Sequence, residues 1–240
     1  MDYNYPAFSF EFDGAGIEAW LRDGPKPGER APAFELPALD GGTVRLDSLL
    51  GQPVVIEFGS YTCPIFCGQV APMERLARRY PQVSWLVIYT REAHPGETTP
   101  EHHSLDDKRA AARRLAADEV IGRRVLIDDL DGTGHRRYGA AWDSVYVLGA
   151  DGRVVLREAW THPDRVDAVL GELASGHDVH PRETRDMAPP SGQPIGEGLL
   201  RGGKRALRDF YQTAPPPVQQ RLRESPSRLV QDALAEIVHR

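Results

Sequence analysis

The chain has 240 residues, of which 40% are hydrophobic, and carries a formal net charge of −6. This is enough apolar material for one ordinary core with an appendage. The negative charge argues against nucleic acid as a partner, because phosphate binding needs a concentrated basic face. The N-terminus shows no cationic segment followed by an apolar stretch, and no run of 18 apolar residues could cross a bilayer. We therefore expect a cytoplasmic protein without a membrane anchor.

The first part of the chain is predicted to be a short leader, residues 1–27, with a helix over residues 17–21. The stretch that follows, residues 28–46, alternates between polar and apolar residues. It predicts two short strands joined by a turn at Asp40-Gly41-Gly42.

The central part of the chain alternates between strand and helix patterns. Residues 54–58 form an apolar, β-branched run that is typical of a buried strand. Pro64 then opens a helical pattern to residue 79, because proline is favoured at the first helical position. Ser104 and Asp107 form a capping-box pattern with Asp in place of Glu, which begins a helix that ends near Ala117. The other predicted elements are strands at 83–89, 125–127, 145–148 and 153–158, and helices at 135–138 and 164–173.

This order of elements predicts the fold class. Strands that alternate with helices of this length indicate an α/β protein with a mainly parallel sheet flanked by helices, and the final hairpin adds an antiparallel edge. The order is thioredoxin-like (peroxiredoxin-like), and we assign it to a domain over residues 28–175.

The composition changes after this domain. Residues 176–198 are rich in proline, glycine and polar residues and are predicted to be a linker. Residues 199–240 are predicted to be a helical C-terminal extension, because two amphipathic patterns follow one another there. Their apolar stripes must be buried on the main domain or on a second copy of the chain, so a homodimer is one of the two expected arrangements.

The only two cysteines, Cys63 and Cys67, follow the strand at 54–58 directly. Cys63 stands immediately before Pro64, where the strand is followed by a helix N-terminus. Free backbone N–H groups and the helix dipole stabilise a thiolate at that position and lower the cysteine pKa. The sequence therefore predicts that Cys63 is a reactive nucleophile and that its pKa is lowered.

Cys67 is a candidate redox partner of Cys63. Residues four apart on a helix lie about 6 Å apart at Cα, which is within the range of a disulfide. Their Cα–Cβ bonds are nearly parallel, so a bridge requires the first helical turn to loosen. Cys67 also lies on the same helix face as Val70, and this position favours an ordinary core cysteine equally well.

Several segments make this chain similar to a known family. The most specific pair is the Phe-Gly-Ser-x-Thr-x-Pro block around Cys63 and the Glu-Ala-His-Pro block about 30 residues later. The chain resembles the iodothyronine deiodinases, a thioredoxin-fold, peroxiredoxin-like family, over about residues 28–173. The segments that carry the resemblance are Phe58-Gly-Ser-Tyr-Thr-Cys-Pro-Ile-Phe66, Ile88-Tyr-Thr-Arg-Glu-Ala-His-Pro95, His102-His-Ser-Leu-Asp-Asp-Lys108, Tyr138-Gly-Ala140 and Val145-Tyr-Val-Leu148.

The resemblance implies a role for each matched residue. Cys63 stands where animal deiodinases have selenocysteine, the nucleophile that takes iodine from the substrate. Hydroxyl groups that line this nucleophile are matched by Ser60 and Thr62. The residues that match the family's proton supply and substrate binding are Tyr89, Glu92, His94 and His102, of which His94 is the one we expect to hold the substrate.

Two departures from the family pattern affect the chemistry. Cysteine in place of selenocysteine is a weaker nucleophile and is more fully protonated at neutral pH. The family's Pro-Glu-Arg before a Leu-Tyr strand is replaced here by Trp142-Asp143-Ser144.

The resemblance implies a thiol-dependent oxidoreductase that removes iodine reductively from iodothyronine-like aromatic substrates. Such a reaction needs a polarisable anion that approaches iodine along the carbon–iodine axis, and a proton donor for the carbon. Histidine titrates in the useful range, and a carboxylate such as Glu92 orients it. The resemblance implies a small-molecule substrate, no bound cofactor or metal, and an external reductant such as thioredoxin or a low-molecular-weight thiol.

Two alternatives remain open from the sequence. The first is a thiol peroxidase in which Cys63 attacks a peroxide and Cys67 resolves the sulfenate to a disulfide. The usual Pro-x-x-x-Thr-x-x-Cys pattern of peroxidases is absent, because Thr62 adjoins the cysteine. The second is a copper(I) chaperone, since Cys-x-x-x-Cys with a distal histidine suits that soft ion. The absence of a histidine next to the strand at 145–148 argues against it.

Overall fold

The computed structural model describes residues 3–10, 18–175, 179–183, 190 and 194–238. Its main feature is a six-stranded sheet with the order β5-β4-β3-β6-β7-β8. A separate two-stranded hairpin, β1–β2, precedes it along the chain. The strands are β1 (Glu35–Pro37), β2 (Thr43–Arg45), β3 (Val54–Gly59), β4 (Ser84–Tyr89), β5 (Arg124–Ile127), β6 (Val145–Leu148), β7 (Val154–Glu158) and β8 (Arg182–Glu183).

The strand directions confirm the predicted thioredoxin-like, mainly parallel architecture with an antiparallel edge. β3 pairs in parallel with β4, and β4 pairs in parallel with β5. β6 runs antiparallel to β3, and β7 runs antiparallel to β6. Every residue of β3 is buried, because helices cover both faces of a sheet of this kind.

Eight helices of the described residues surround or follow the sheet. Their bounds are α1 (Pro64–Arg79), α2 (Leu105–Asp118), α3 (Thr133–Arg137), α4 (Pro163–Ala174), α5 (Ile195–Leu199), α6 (Lys204–Thr213), α7 (Pro216–Arg223) and α8 (Arg228–Val238). The predicted start of α1 is confirmed, with Pro64 at its first position. α2 begins at the predicted cap, where the Ser104 hydroxyl accepts a hydrogen bond from the Asp107 N–H at 3.1 Å.

The described residues before Gly28 are tightly packed on the domain. Residues 18–22 are helical, next to the predicted helix over 17–21. The Trp20 ring is fully buried, and the Arg157 guanidinium lies 4.0 Å from its centre. Farther towards the N-terminus, Tyr3 and Phe8 are buried as well. This part of the chain therefore contributes side chains to the domain that we predicted to begin at residue 28.

The predicted linker contains regular structure. Within it, β8 pairs in parallel with β7, and α5 begins at Ile195, before the predicted start of the helical extension at residue 199. Residues 176–178, 184–189 and 191–193 of this stretch lie outside the described residues.

The C-terminal helices α5 to α8 form a small core of their own and pack on the main domain. The side chains of this second core are Phe8, Leu199, Leu207, Phe210, Ala214, Leu222, Val230, Ala233 and Leu234. Contact with the main domain is closest at Gly198 of α5, where an added Cβ would lie 2.3 Å from the Pro64 Cβ. The extension therefore packs against the N-terminus of α1, the turn that carries Cys63. Among the described helices, none is both long and apolar enough to cross a membrane.

Candidate active site

Cys63 caps the N-terminus of α1 at the end of the turn that follows β3. Its sulfur accepts a hydrogen bond from the Phe66 N–H at 3.5 Å, which is within the range of sulfur acceptors. The Phe66 ring packs directly on Gly59, where a Cβ would lie 2.2 Å from the ring. Glycine at this position lets the helix start close to the end of β3 and places Cys63 at the carboxyl edge of the sheet.

The predicted low pKa of Cys63 is wrong for this structure. The Phe66 N–H stabilises a thiolate, as the helix N-terminus predicts, but the side chain is only 2% exposed. Burial removes water from the thiolate, and this effect, together with the charge of Asp143, raises the pKa of Cys63 well above its ordinary value. The sequence identified the N-cap position, but the burial comes from segments far away in the chain.

Cys67 lies one turn further along α1. Both cysteines are free thiols, and the Cys67 sulfur donates to the Tyr61 carbonyl at 3.4 Å. Burial raises the pKa of Cys67, and the nearby Arg201 of the C-terminal extension acts in the opposite direction. A Cys63–Cys67 bridge would require Cys67 to give up its contact with Tyr61.

Glu92 is the centre of the polar network beside Cys63. Its Oε2 accepts hydrogen bonds from the backbone N–H of Thr62 at 2.9 Å and from the Thr62 hydroxyl at 2.7 Å. The Tyr89 hydroxyl donates to Oε1, and it also accepts a hydrogen bond from the Tyr61 N–H at 3.2 Å. These contacts join the loop after β4 to the turn after β3, so that the carboxylate lies next to the reactive turn.

His102 completes this network. Its Nε2 lies 3.2 Å from Glu92 Oε1, although the direction of the ring N–H is outside hydrogen-bond geometry. Burial alone would raise the pKa of Glu92, but His102, Thr62 and Tyr89 outweigh burial and lower it. Glu92 is therefore an ionised acceptor at neutral pH, and the two residues lie in reach of each other as the sequence predicted.

Ser60 and His94 fix the loop that carries Glu92. The Ser60 hydroxyl accepts a hydrogen bond from the Ala93 N–H at 3.1 Å. The His94 N–H donates to the Thr62 hydroxyl oxygen at 3.0 Å. The sequence-predicted residues Ser60, Thr62, Cys63, Cys67, Tyr89, Glu92, His94 and His102 are thus brought together at the carboxyl ends of β3 and β4.

The ring of His94 lies in an aromatic environment. The Phe8 ring is 4.4 Å from it and the Phe210 ring is 5.3 Å from it, between ring centres. Burial lowers the pKa of His94 to about 3, so the ring is neutral at physiological pH. Its Nδ1 is buried and has no hydrogen-bond partner among the described residues. This nitrogen can therefore bond to a polar group of a ligand that enters between the two phenylalanines.

Asp143 is a functional candidate that the sequence prediction missed. It is fully buried, and neither of its carboxyl oxygens has a hydrogen-bond partner in the described part of the chain. The available signal was the departure from the family pattern at Trp142-Asp143-Ser144, just before β6. Elsewhere in the described residues, no group of three or more His, Cys, Asp or Glu is arranged to hold a metal ion.

Comparison with known families decides the assignment. The model of the iodothyronine deiodinase family matches residues 12–162, which is more than half of the chain. The chain belongs to the iodothyronine deiodinase family. The matched range contains the whole network around Cys63 and ends before the C-terminal extension.

Characterised members of the deiodinase family cover only the same central part. The chain is 33% identical over 121 residues to thyroxine 5-deiodinase of Sparus aurata, covering 46% of this chain and 45% of the relative. It is 34% identical over 134 residues to the human thyroxine 5-deiodinase, covering 50% of this chain and 44% of the relative. The chain thus spans less than half the length of these two relatives.

Solved structures support the thioredoxin-like fold of this deiodinase-family chain. An uncharacterised conserved protein from Geobacillus kaustophilus aligns with a TM-score of 0.52 at 21% identity, over 66% of this chain and 87% of that one. A candidate thiol:disulfide interchange protein DsbE from Chlorobium tepidum aligns with a TM-score of 0.50 at 19% identity, over 63% and 97%. At this identity the similarity concerns the fold alone.

Proposed function

We propose that the chain is a thiol-dependent oxidoreductase that removes iodine reductively from iodothyronine-like aromatic substrates, with Cys63 as the nucleophile. The observation that carries this proposal is the Glu92 carboxylate, which binds Thr62 directly before Cys63 and lies 3.2 Å from His102. A reductive deiodination needs a sulfur nucleophile and a proton source side by side, and this network supplies both.

The first half-reaction transfers iodine to sulfur. The Cys63 thiolate attacks iodine, the carbon–iodine bond breaks, and the aryl carbon takes a proton from His102, which Glu92 orients. The products are the deiodinated arene and a Cys63 sulfenyl iodide. Because Glu92 is ionised and the Tyr89 hydroxyl keeps its proton under the influence of burial, His102 is the group that can supply a proton near neutral pH.

The second half-reaction regenerates the thiolate. An external thiolate attacks the Cys63 sulfur and releases iodide, which leaves a mixed disulfide. A second thiolate attacks that disulfide, frees Cys63, and leaves as the oxidised reductant. The chain needs no bound cofactor for these steps, because the external thiol supplies both electrons.

The buried histidine next to this network suits an aromatic substrate. A substrate ring can stack where Phe8 and Phe210 now flank His94, and a phenolic hydroxyl can donate to the free Nδ1 of that ring. Because Cys63 is nearly fully buried, we expect the extension and the segment around Phe8 to move apart before such a substrate enters.

A turnover assay of the purified chain tests the proposal. Dithiothreitol is supplied as the reductant, and an iodothyronine and hydrogen peroxide are offered separately. We expect thiol-dependent iodide release that disappears in Cys63→Ser and falls strongly in His102→Gln. His103→Gln is the matched control, since the neighbouring ring is exposed and outside the network. Rapid peroxide turnover without any iodide release would refute deiodination and favour the peroxidase alternative.

A further inference from the structure

Asp143 occupies a position beside the reactive turn that the deiodination scheme does not use. In the antiparallel pairing of β3 and β6, Glu57 lies opposite Val145, and the Phe58 N–H donates to the Ser144 carbonyl at 2.9 Å. Continuing this register by two residues places Asp143 opposite Gly59, at the end of β3 from which the Cys63 turn departs. The Thr161 hydroxyl fixes the Asp143 carbonyl from the other side, at 3.0 Å.

The carboxyl group at this position has no partner that would hold a charge. Both oxygens are buried and make no hydrogen bond to any described residue, and the side chain is completely inaccessible. The charged groups that interact with it are Glu57 from β3 and the two thiols of α1, Cys63 and Cys67. No cation is among these groups, because Arg123, the ion-pair partner of Glu57, is engaged by Glu57 and Glu74.

A lone carboxyl group in such surroundings is neutral. Burial raises the pKa of Asp143 well above its ordinary value, and the charge of Glu57 acts in the same direction. Burial also raises the pKa of Cys63, so the pair resists holding two negative charges at once. A proton that passes between the two groups leaves the number of buried charges unchanged, and such a transfer avoids the cost of burying a second one.

We propose that Asp143 is the proton carrier of Cys63, which protonates the sulfur when the external thiol releases it and takes the proton back before the next attack. This inference rests on the proposed thiol-dependent cycle. In the release step, Cys63–S–S–R, R′–S⁻ and Asp143–COOH give Cys63–SH, R–S–S–R′ and Asp143–COO⁻. The proton then returns, so that Cys63–SH and Asp143–COO⁻ give Cys63–S⁻ and Asp143–COOH.

The Glu92 network cannot perform this service as well. Glu92 accepts hydrogen bonds from Thr62 and Tyr89, and its pKa is lowered, so it holds no proton to give at neutral pH. The two acids therefore have separate tasks, with Glu92 and His102 on the side of the aryl carbon and Asp143 on the side of the leaving sulfur. Pairs of acids whose surroundings shift their pKa values apart commonly divide proton transfer in this way.

Two half-reactions of Cys63 that require no aryl iodide test the proposal. The full chain carries Cys67→Ser, so that Cys63 is the only thiol, and is compared with and without Asp143→Asn. The first measurement is the pH dependence of alkylation by iodoacetamide, with the thiolate pKa read from ultraviolet absorbance. The second is the rate at which dithiothreitol frees Cys63 from a methyl disulfide, followed by mass spectrometry.

We expect the two half-reactions to change in opposite directions. Removing the acid eliminates a competing negative charge, so the apparent pKa of Cys63 falls by about one unit or more and alkylation at pH 7 accelerates by up to about tenfold per unit. Release of the methyl disulfide slows on the order of 10²-fold, because the leaving sulfur loses its proton donor. A change that only opened or distorted the site would move both rates in the same direction, and that result would overturn the proposal.

Two further variants complete the experiment. Asp143→Ala gives the same two readouts without an amide to bury, and its folding is checked by thermal melting. Asp128→Asn is the matched control, because this carboxylate is also fully buried but accepts hydrogen bonds from the Gly134 and His135 N–H groups at 3.0 and 2.9 Å. An unchanged Cys63 pKa in both Asp143 variants would also overturn the role of Asp143, whether or not the chain releases iodide.

Discussion

The carboxylate of Glu92 holds Thr62 at two points, the backbone N–H at 2.9 Å and the hydroxyl at 2.7 Å. Thr62 directly precedes Cys63, so this double contact fixes the backbone from which the reactive thiol extends. Glu92 comes from the loop after β4, and the contact therefore joins the ends of two neighbouring parallel strands. The carboxylate has both a positioning and an electrostatic effect on the site.

The first prediction concerns Glu92→Gln. Losing the charged acceptor weakens the bonds from Thr62 and Tyr89, and we expect a loss of about 2–3 kcal/mol in the free energy of unfolding at pH 7. Iodide release should fall on the order of 10²-fold, because His102 loses the group that orients it. Denaturant unfolding and the turnover assay measure the two effects, with Glu101→Gln as the control.

The same variant makes a pH prediction. The pKa of Glu92 is lower in the folded chain than its ordinary value of 4.5, so its stabilising effect is complete above that value. The effect is lost as pH falls below 4.5 towards the folded-state pKa. The stability difference between the wild type and Glu92→Gln should therefore shrink from pH 7 to pH 3. A difference that grows on acidification would contradict the ionised state that we assign to Glu92.

The second prediction concerns the contact between the extension and α1. Gly198 lies so close to Pro64 that a methyl group there must displace α5. We expect Gly198→Ala to cost about 1–3 kcal/mol and to increase the alkylation rate of Cys63, since the extension covers that turn. Gly171→Ala in α4 is the control, because its added methyl makes only an ordinary contact with the Tyr80 hydroxyl. Unchanged alkylation in Gly198→Ala would show that the extension does not limit access.

The local elements around the site could be predicted from the sequence alone. The start of α1 at Pro64 and the cap of α2 at Ser104 depend on neighbouring residues, and the structure shows both. The pairing of Glu92 with His102 followed from the family resemblance, because the motif fixes both positions.

The features that could not be predicted depend on contacts between distant parts of the chain. The pKa of Cys63 is raised by burial, and part of the cover comes from the extension, more than 130 residues later, which has no counterpart in the matched family range. Asp143 could not be recognised as an unpartnered acid, because that property depends on the β3–β6 register and on what does not lie next to it.

The third prediction concerns Cys67→Ser. Its thiol donates to the Tyr61 carbonyl, a bond that a serine hydroxyl can also make, so the fold should be retained. A deiodinase that an external thiol regenerates directly should lose little iodide release in this variant. A peroxidase that resolves through Cys67 would instead stop as a Cys63 sulfenate after one turnover. Mass spectrometry of Cys63 after a single addition of each substrate distinguishes the two cycles.

The last prediction concerns the acid sensitivity that the buried histidines create. Burial lowers the pKa of His94 from 6.5 to about 3, and His135 has the same lowered value. Because each ring binds its proton more readily in the unfolded chain, stability is complete above about pH 6.5 and is lost progressively as pH falls towards 3. Each ring contributes a slope of about 1.4 kcal/mol per pH unit within this range.

Replacing one of these rings should therefore halve the slope. His94→Phe suits the surrounding rings of Phe8 and Phe210, and we expect it to retain only the contribution of His135 between pH 6.5 and 5, where the carboxylates with ordinary pKa values do not yet titrate. Denaturant unfolding at several pH values in this interval measures the slope. His103→Asn is the control, because this exposed ring should leave the slope unchanged. A wild-type slope in His94→Phe would mean that His94 reaches solvent and takes up its proton without unfolding.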